Sequence, residues 1–203
     1  MTDNPPAIDP SLIARVKGIL LNPKAEWELI EREFATVPTL FSRYAMILAA
    51  IGPVCGLIGS VVFGHGNVIG AIVAAVVGYA LSLAGVFLLG LVIENLAPNF
   101  NGTKDRLAAM KVSVYSATAS WVGGVFSLIP MLGILGLILA LYGLYILYLG
   151  LPVLMKAPQD KALGYTAVVV IIAIIIWWVI FAVVGAVMAS FLIGSAVATG
   201  AIY

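Results

Sequence analysis

The sequence predicts an all-α fold: a polytopic integral membrane protein of five transmembrane helices, N-terminus cytoplasmic and C-terminus outside. Three observations carry this. First, the 203 residues are 63% hydrophobic and 9% charged, with a mean hydropathy of +1.17. Soluble domains carry about 25% charged residues, so most of the solvent must be lipid. Second, the stretch 112–155 has no charged residue and exceeds the roughly 20 residues that one crossing needs. Ile129-Pro130-Met131 lies near its middle, and proline disfavours helix in the residue before it. Two spans joined by a tight turn are expected. Third, all ten Lys and Arg fall in three places. These are before the first span (Arg15, Lys17, Lys24, Arg32, Arg43), around the second-to-third loop (Lys104, Arg106, Lys111), and between the fourth and fifth spans (Lys156, Lys161). With five spans these three places lie on one side, and cations mark the cytoplasmic side.

Taken in order, residues 1–9 are polar and contain Pro5 and Pro6, and are expected to be disordered. Residues 11–21 read as a short helix with Leu12, Val16, Ile19 and Leu20 on one face and Arg15 and Lys17 flanking it. Such a helix either lies in the membrane interface with its cations reaching headgroups or packs on the protein's own surface. Asn22-Pro23 reads as an N-cap followed by proline at the first helical position. The second helix carries Trp27, Ile30 and Phe34 on one face and Glu26, Glu28, Glu31, Arg32 and Glu33 around the rest. The acidic run reads as a solvated face, with a basic partner as the alternative. Residues 1–37 thus form a cytoplasmic segment through which a protein partner could bind.

The spans are expected at about 41–63, 68–93, 107–129, 131–155 and 163–189. Gly64-His65-Gly66 turns the first hairpin, and Asn101-Gly102 marks a turn in the polar loop 94–106. Asn101-Gly102-Thr103 matches a glycosylation sequon, but the expected topology places it in the cytoplasm. The apolar residues after about 189 read as a loose tail. Cys55 is the single cysteine, so no internal disulfide can form.

Membrane helices associate where small residues let backbones approach. The first span offers Gly52, Gly56 and Ser60, and the second Gly70, Ala74, Gly78 and Ser82. These two seams are expected to face each other. The third span has a small face of Ala109, Ser113, Ser116, Ser120, Gly124 and Ser127; the fourth has Gly136, Ala140, Gly143 and Gly150. Glycine faces left over after the hairpins pack would favour a homo-oligomer.

The candidate polar seam is Glu94, Lys111, Tyr115, Ser116, Tyr142, Tyr145 and Tyr148. A Glu94–Lys111 pair would clamp the cytoplasmic surface. The three tyrosines lie opposite the glycines of the fourth span. Tyr142 is near mid-depth, where an unpaired hydroxyl costs a few kcal/mol, and a serine of the third span is its expected partner. A packed core and a lined cavity are the two readings of this seam. No ionisable group is expected at mid-depth, which weighs against an ion-coupled carrier. His65 is the only histidine, and no hydrolase, metalloprotease or phosphate-loop motif occurs, so no enzyme, metal, cofactor or nucleic-acid reading is supported.

Four stretches resemble the YIP family (Ypt-interacting proteins), small five-span membrane proteins with a cytoplasmic N-terminus. They are Tyr115-Ser-Ala-Thr-Ala-Ser-Trp121, Ile129-Pro-Met-Leu-Gly133, Leu141-Tyr-Gly-Leu-Tyr-Ile-Leu-Tyr-Leu-Gly-Leu-Pro152 and Lys161-Ala-Leu-Gly-Tyr165. The resemblance covers roughly residues 38–180, and Asn22-Pro23-Lys24 to Trp27 is similar to the N-terminal segment of bacterial members. It implies an inner-membrane protein acting by interaction or membrane organisation, with no catalytic residues to carry over. Eukaryotic members are tied to Rab-type GTPases through a longer tail with an Asp-Leu-Tyr-Gly-Pro motif. Only Gly52-Pro53 echoes that motif here, inside the first span, which argues against GTPase binding. A small channel, transporter or lipid-moving protein is the competing reading.

Overall fold

A computed structural model describes residues 11–63 and 68–198, and among these the regular structure is helical throughout. The expected disorder before residue 10 and the turn at His65 lie outside the described residues.

Two short helices come first, α1 (Leu12–Leu21) and α2 (Pro23–Arg32). Ser11 caps α1 by accepting the Ala14 N–H at 3.3 Å. Asn22 closes α1, donating its N–H to Gly18 O at 2.8 Å, and Pro23 starts α2 at the position where a missing N–H costs nothing. Of the two readings of α1, packing on the protein is the one seen. Ile19 is buried, and Leu12, Val16 and Leu20 lie against the same core as Trp27 and Ile30 of α2. Arg15 does not reach for headgroups: it is 3% exposed and ion-paired.

The first membrane helix, α3, runs Val37–Val62. A Thr36–Thr39 capping box starts it, and one π-helical turn interrupts it at Phe41–Ala45. Helix α4 (Val68–Leu96) continues into a 3-10 turn, Ala97–Phe100, which ends with Asn101 left-handed at φ 57°. Gly102 N–H then bonds Ala97 O at 2.8 Å and Thr103 N–H bonds Met155 O at 2.7 Å, fixing the loop.

The next stretch departs from expectation. A single helix over 107–129 is replaced by α5 (Arg106–Ser116), α6 (Thr118–Gly123) and a 3-10 segment, Gly124–Leu128. The chain breaks at Ala117, between Ser116 and Thr118, and again at the Gly123-Gly124 pair, where helices characteristically kink. Ile129 is extended (φ −122°, ψ 113°) ahead of Pro130, as its place before proline requires. Helix α7 (Gly133–Met155) follows, and α8 (Gln159–Ala198) ends the described chain. The apolar residues 190–198, read from sequence as a loose tail, continue α8 without interruption. No charge or proline in this stretch stops the helix. Among the described residues, four helical stretches are long and apolar enough to cross a bilayer: Val37–Val62, Val68–Phe100, Gly133–Met155 and Asp160–Phe191.

The small-residue seams pair differently from expectation. Gly52 and Gly56 line a shared cavity with Ala74 and Gly78 but do not pack directly against them. A Cβ on Gly124 would stand 2.7 Å from Gly52 Cα, one on Gly56 would stand 3.6 Å from Ser127 Oγ, and one on Gly59 would stand 2.7 Å from Leu128 O. Ser127 Oγ also donates to Gly52 O at 3.1 Å, whereas Ser60 bonds within its own helix, to Leu57 O. On the other side, Gly70 meets Phe191 and Gly78 meets Val184, both on α8. The slender 3-10 segment needs close backbone contact, and the glycines of α3 provide it.

Candidate functional site

The polar residues near one end of the bundle converge where α1 and α2 dock. Arg15 Nη1 donates to Glu26 Oε1 at 2.6 Å, and its other terminal nitrogen pairs with Glu33. The guanidinium also lies over the Tyr115 ring, 5.5 Å from its centre. Tyr115 in turn packs edge-on to Tyr44 (4.9 Å) and Trp27 (6.3 Å). Tyr44 hydroxyl shares a 2.8 Å hydrogen bond with Thr118 Oγ1.

Helix ends leave their last carbonyls without partners, and side chains of the membrane segments satisfy those of both N-terminal helices. Lys111, 4% exposed, donates through Nζ to Ile30 O at 2.8 Å and Glu33 O at 2.7 Å. Its cation thus sits at the negative end of α2. Tyr142 hydroxyl donates to Leu20 O at 2.9 Å, in the last turn of α1. Two sequence expectations are corrected. Lys111 does not pair with Glu94, which instead holds Arg106. Tyr142 bonds no serine of the third stretch, because the α1–α2 turn occupies the space beside it.

Trp27 anchors the docking. Its Nε1 donates to Ile146 O at 3.1 Å, and a Cβ on Gly150 would stand 2.6 Å from the indole. Glu31 at the far end of α2 pairs with Lys156. The turn at Asn22 therefore lies beside Tyr142, 13 residues and about 20 Å along α7 from Met155. Sequence reasoning missed this insertion. The Trp27 and Gly150 positions were each visible, but nothing in either pointed to the other.

The seam predicted from sequence is only partly assembled. Tyr115, Lys111 and Tyr142 all touch the α1–α2 hairpin. Tyr145 and Tyr148 are exposed on the outer side of α7. Ser116 lies on the opposite, glycine side: a Cβ on Gly143 would stand 3.0 Å from Ser116 O and 3.4 Å from Ser120 Oγ. There, α4, α5, α6, α7 and α8 surround an apolar cleft of about 610 Å³ whose lining includes Ser82, Ser113, Ser116 and Ser120.

With this geometry in place, comparison with known proteins is decisive for the family. Residues 17–181 match the Yip1 domain, a range that takes in half of α1, all of α2 and every helix lining the cleft. The chain belongs to the Yip1 domain family. Its similarity to the inner membrane protein YohC of Escherichia coli (strain K12) is 26% identity over 182 residues, covering 84% of this chain and 93% of the relative. The protein of the same name from Escherichia coli O6:H1 matches to the same extent. No solved structure matches. The Yip1 match begins inside α1, in keeping with an N-terminal hairpin that shares the core of the membrane helices.

Proposed function

We propose that this Yip1-domain chain is a non-enzymatic inner-membrane protein that acts by interaction or membrane organisation. The observation that carries this reading is the closure of the polar cluster on itself. Arg15, Glu26, Glu33 and Lys111 are consumed in holding α1 and α2, with none of them lining the cleft. A buried cluster spent in this way positions a surface rather than a reacting group. Its partners on this reading are the bilayer, a second copy of the chain, and a cytoplasmic protein approaching residues 1–37.

Five crossings, with the N-terminus inside and the C-terminus outside, complete the proposal. The broken stretch 106–128 supports the fifth. Eighteen residues near α-helical rise and five near 3-10 rise give a contour length of about 37 Å, against a hydrocarbon core of about 30 Å. Reporter fusions to the two ends test the topology; both reporters active in one compartment would overturn it. Proteoliposome flux and lipid-scrambling assays, with Tyr142→Phe and Tyr145→Ala as comparators, test the role. No protein-dependent transport is expected, and transport altered by those substitutions would favour the channel or lipid-moving reading.

A further inference from the structure

The cleft enclosed by α4 to α8 is apolar, yet one hydroxyl in it is stranded. Ser116 lines the cleft and is 5% exposed, and its Oγ has no hydrogen-bond partner. Among the other serines of the lining, Ser113 Oγ donates to Met110 O at 3.2 Å, Ser82 Oγ accepts from Trp121 Nε1 at 3.2 Å and Ser127 Oγ donates to Gly124 O at 2.7 Å, while Ser120 is only half-buried. A buried donor without an acceptor is costly and uncommon, so it calls for a specific cause.

We propose that the cleft binds an uncharged lipid, an apolar chain bearing a carbonyl oxygen that accepts the Ser116 hydroxyl. Four features select this chemistry. The volume of about 610 Å³ falls in the range of roughly 300–1,000 Å³ typical of ligand sites. The lining along α7 runs from Gly133 to Leu147, about 21 Å, which suits an extended chain rather than a compact solute. The rim is exposed and apolar at Leu141 of α7 and at Ile174 and Trp178 of α8, so entry is from the lipid. Among the described residues no Lys, Arg, His, Asp or Glu lines the cleft, which leaves a phosphate or carboxylate without a counter-charge in a low-dielectric site. Diacylglycerol esters and isoprenoid quinone ketones share the chemistry that fits. The inference does not depend on the interaction reading above, since no residue of the docking cluster lines the cleft.

The test is thermal melting of the purified full chain in detergent, titrated separately with dioleoylglycerol, ubiquinone and dioleoylphosphatidylglycerol. One of the two uncharged lipids is expected to raise the melting temperature saturably, and which one does so identifies the source of the carbonyl. The phosphatidylglycerol is expected to leave it unchanged. Ser116→Ala should melt higher than the wild type without lipid, because the stranded hydroxyl is gone. It should also bind the active lipid about fivefold more weakly, as loss of one hydrogen bond implies. Ala140→Phe, which fills the cleft from α7, should abolish the shift. Equal shifts from all three lipids, or from neither uncharged one, would overturn the proposal. So would undiminished binding by Ser116→Ala, or a lipid-free dimer that Ala140→Phe dissolves.

Discussion

The indole of Trp27 occupies the space that a side chain on residue 150 would fill: a Cβ there would stand 2.6 Å from the ring. Gly150 is thus the socket for the N-terminal hairpin, and the contact ties residues far apart in sequence into one core.

Substituting the socket should therefore undo the docking. Gly150→Leu forces the indole out, and overpacking of this kind costs about 1–3 kcal/mol. Trp27→Ala removes a fully buried aromatic, at about 3–5 kcal/mol. Both should unfold earlier in a dodecylsulfate titration of the full chain. Gly150→Leu should in addition admit protease to the α1–α2 hairpin. A wild-type protease pattern in that variant would contradict the arrangement.

Lys111 and Glu94 should behave as independent residues. Lys111→Met leaves the Glu33 carbonyl without its donor and Ile30 O with only the Glu33 N–H at 3.4 Å, a loss of about 1–3 kcal/mol. Arg106→Gln should cost about 1–3 kcal/mol, because it leaves the buried carboxylate of Glu94 without its partner. A double-mutant cycle between Lys111→Met and Glu94→Gln should be additive to within about 0.5 kcal/mol. Strong coupling would restore the direct pair that the structure replaces.

The three tyrosines of α7 should separate. Tyr142→Phe removes the hydrogen bond to Leu20 O and should cost about 0.5–1.5 kcal/mol. Tyr145→Phe and Tyr148→Phe, on exposed rings, should stay within about 0.5 kcal/mol of wild type. Parallel melting curves of the three variants make the comparison.

The glycine seams should differ as sharply. A Cβ on Gly124 would meet Gly52 backbone at 2.7 Å, with no flexible side chain to yield, whereas one on Gly78 would meet only Val184 Cγ2 at 3.6 Å. Gly124→Ala should therefore destabilise by about 1–3 kcal/mol. Gly78→Ala should be neutral or stabilise, since alanine is favoured over glycine within a helix by roughly 0.5–1 kcal/mol. The opposite ranking would mean that α3 packs elsewhere.

Membrane residence and the hairpin turning at Pro130 were legible from sequence alone. Each follows from a residue's own preference for lipid or from proline's fixed geometry, and neither depends on a neighbour. The break of 106–128 into α5, α6 and a 3-10 segment was not legible, nor was the exchange of seams between α3 and α4. Many registers of Gly and Ser look alike along a helix, and only the three-dimensional approach of Gly124 to Gly52 selects one. The same holds for Lys111 and Tyr142. Sequence showed that Tyr142 needed a partner and offered Glu94 for Lys111, but the partners are backbone carbonyls at two helix ends, which any sequence carries and only the docked hairpin brings within reach.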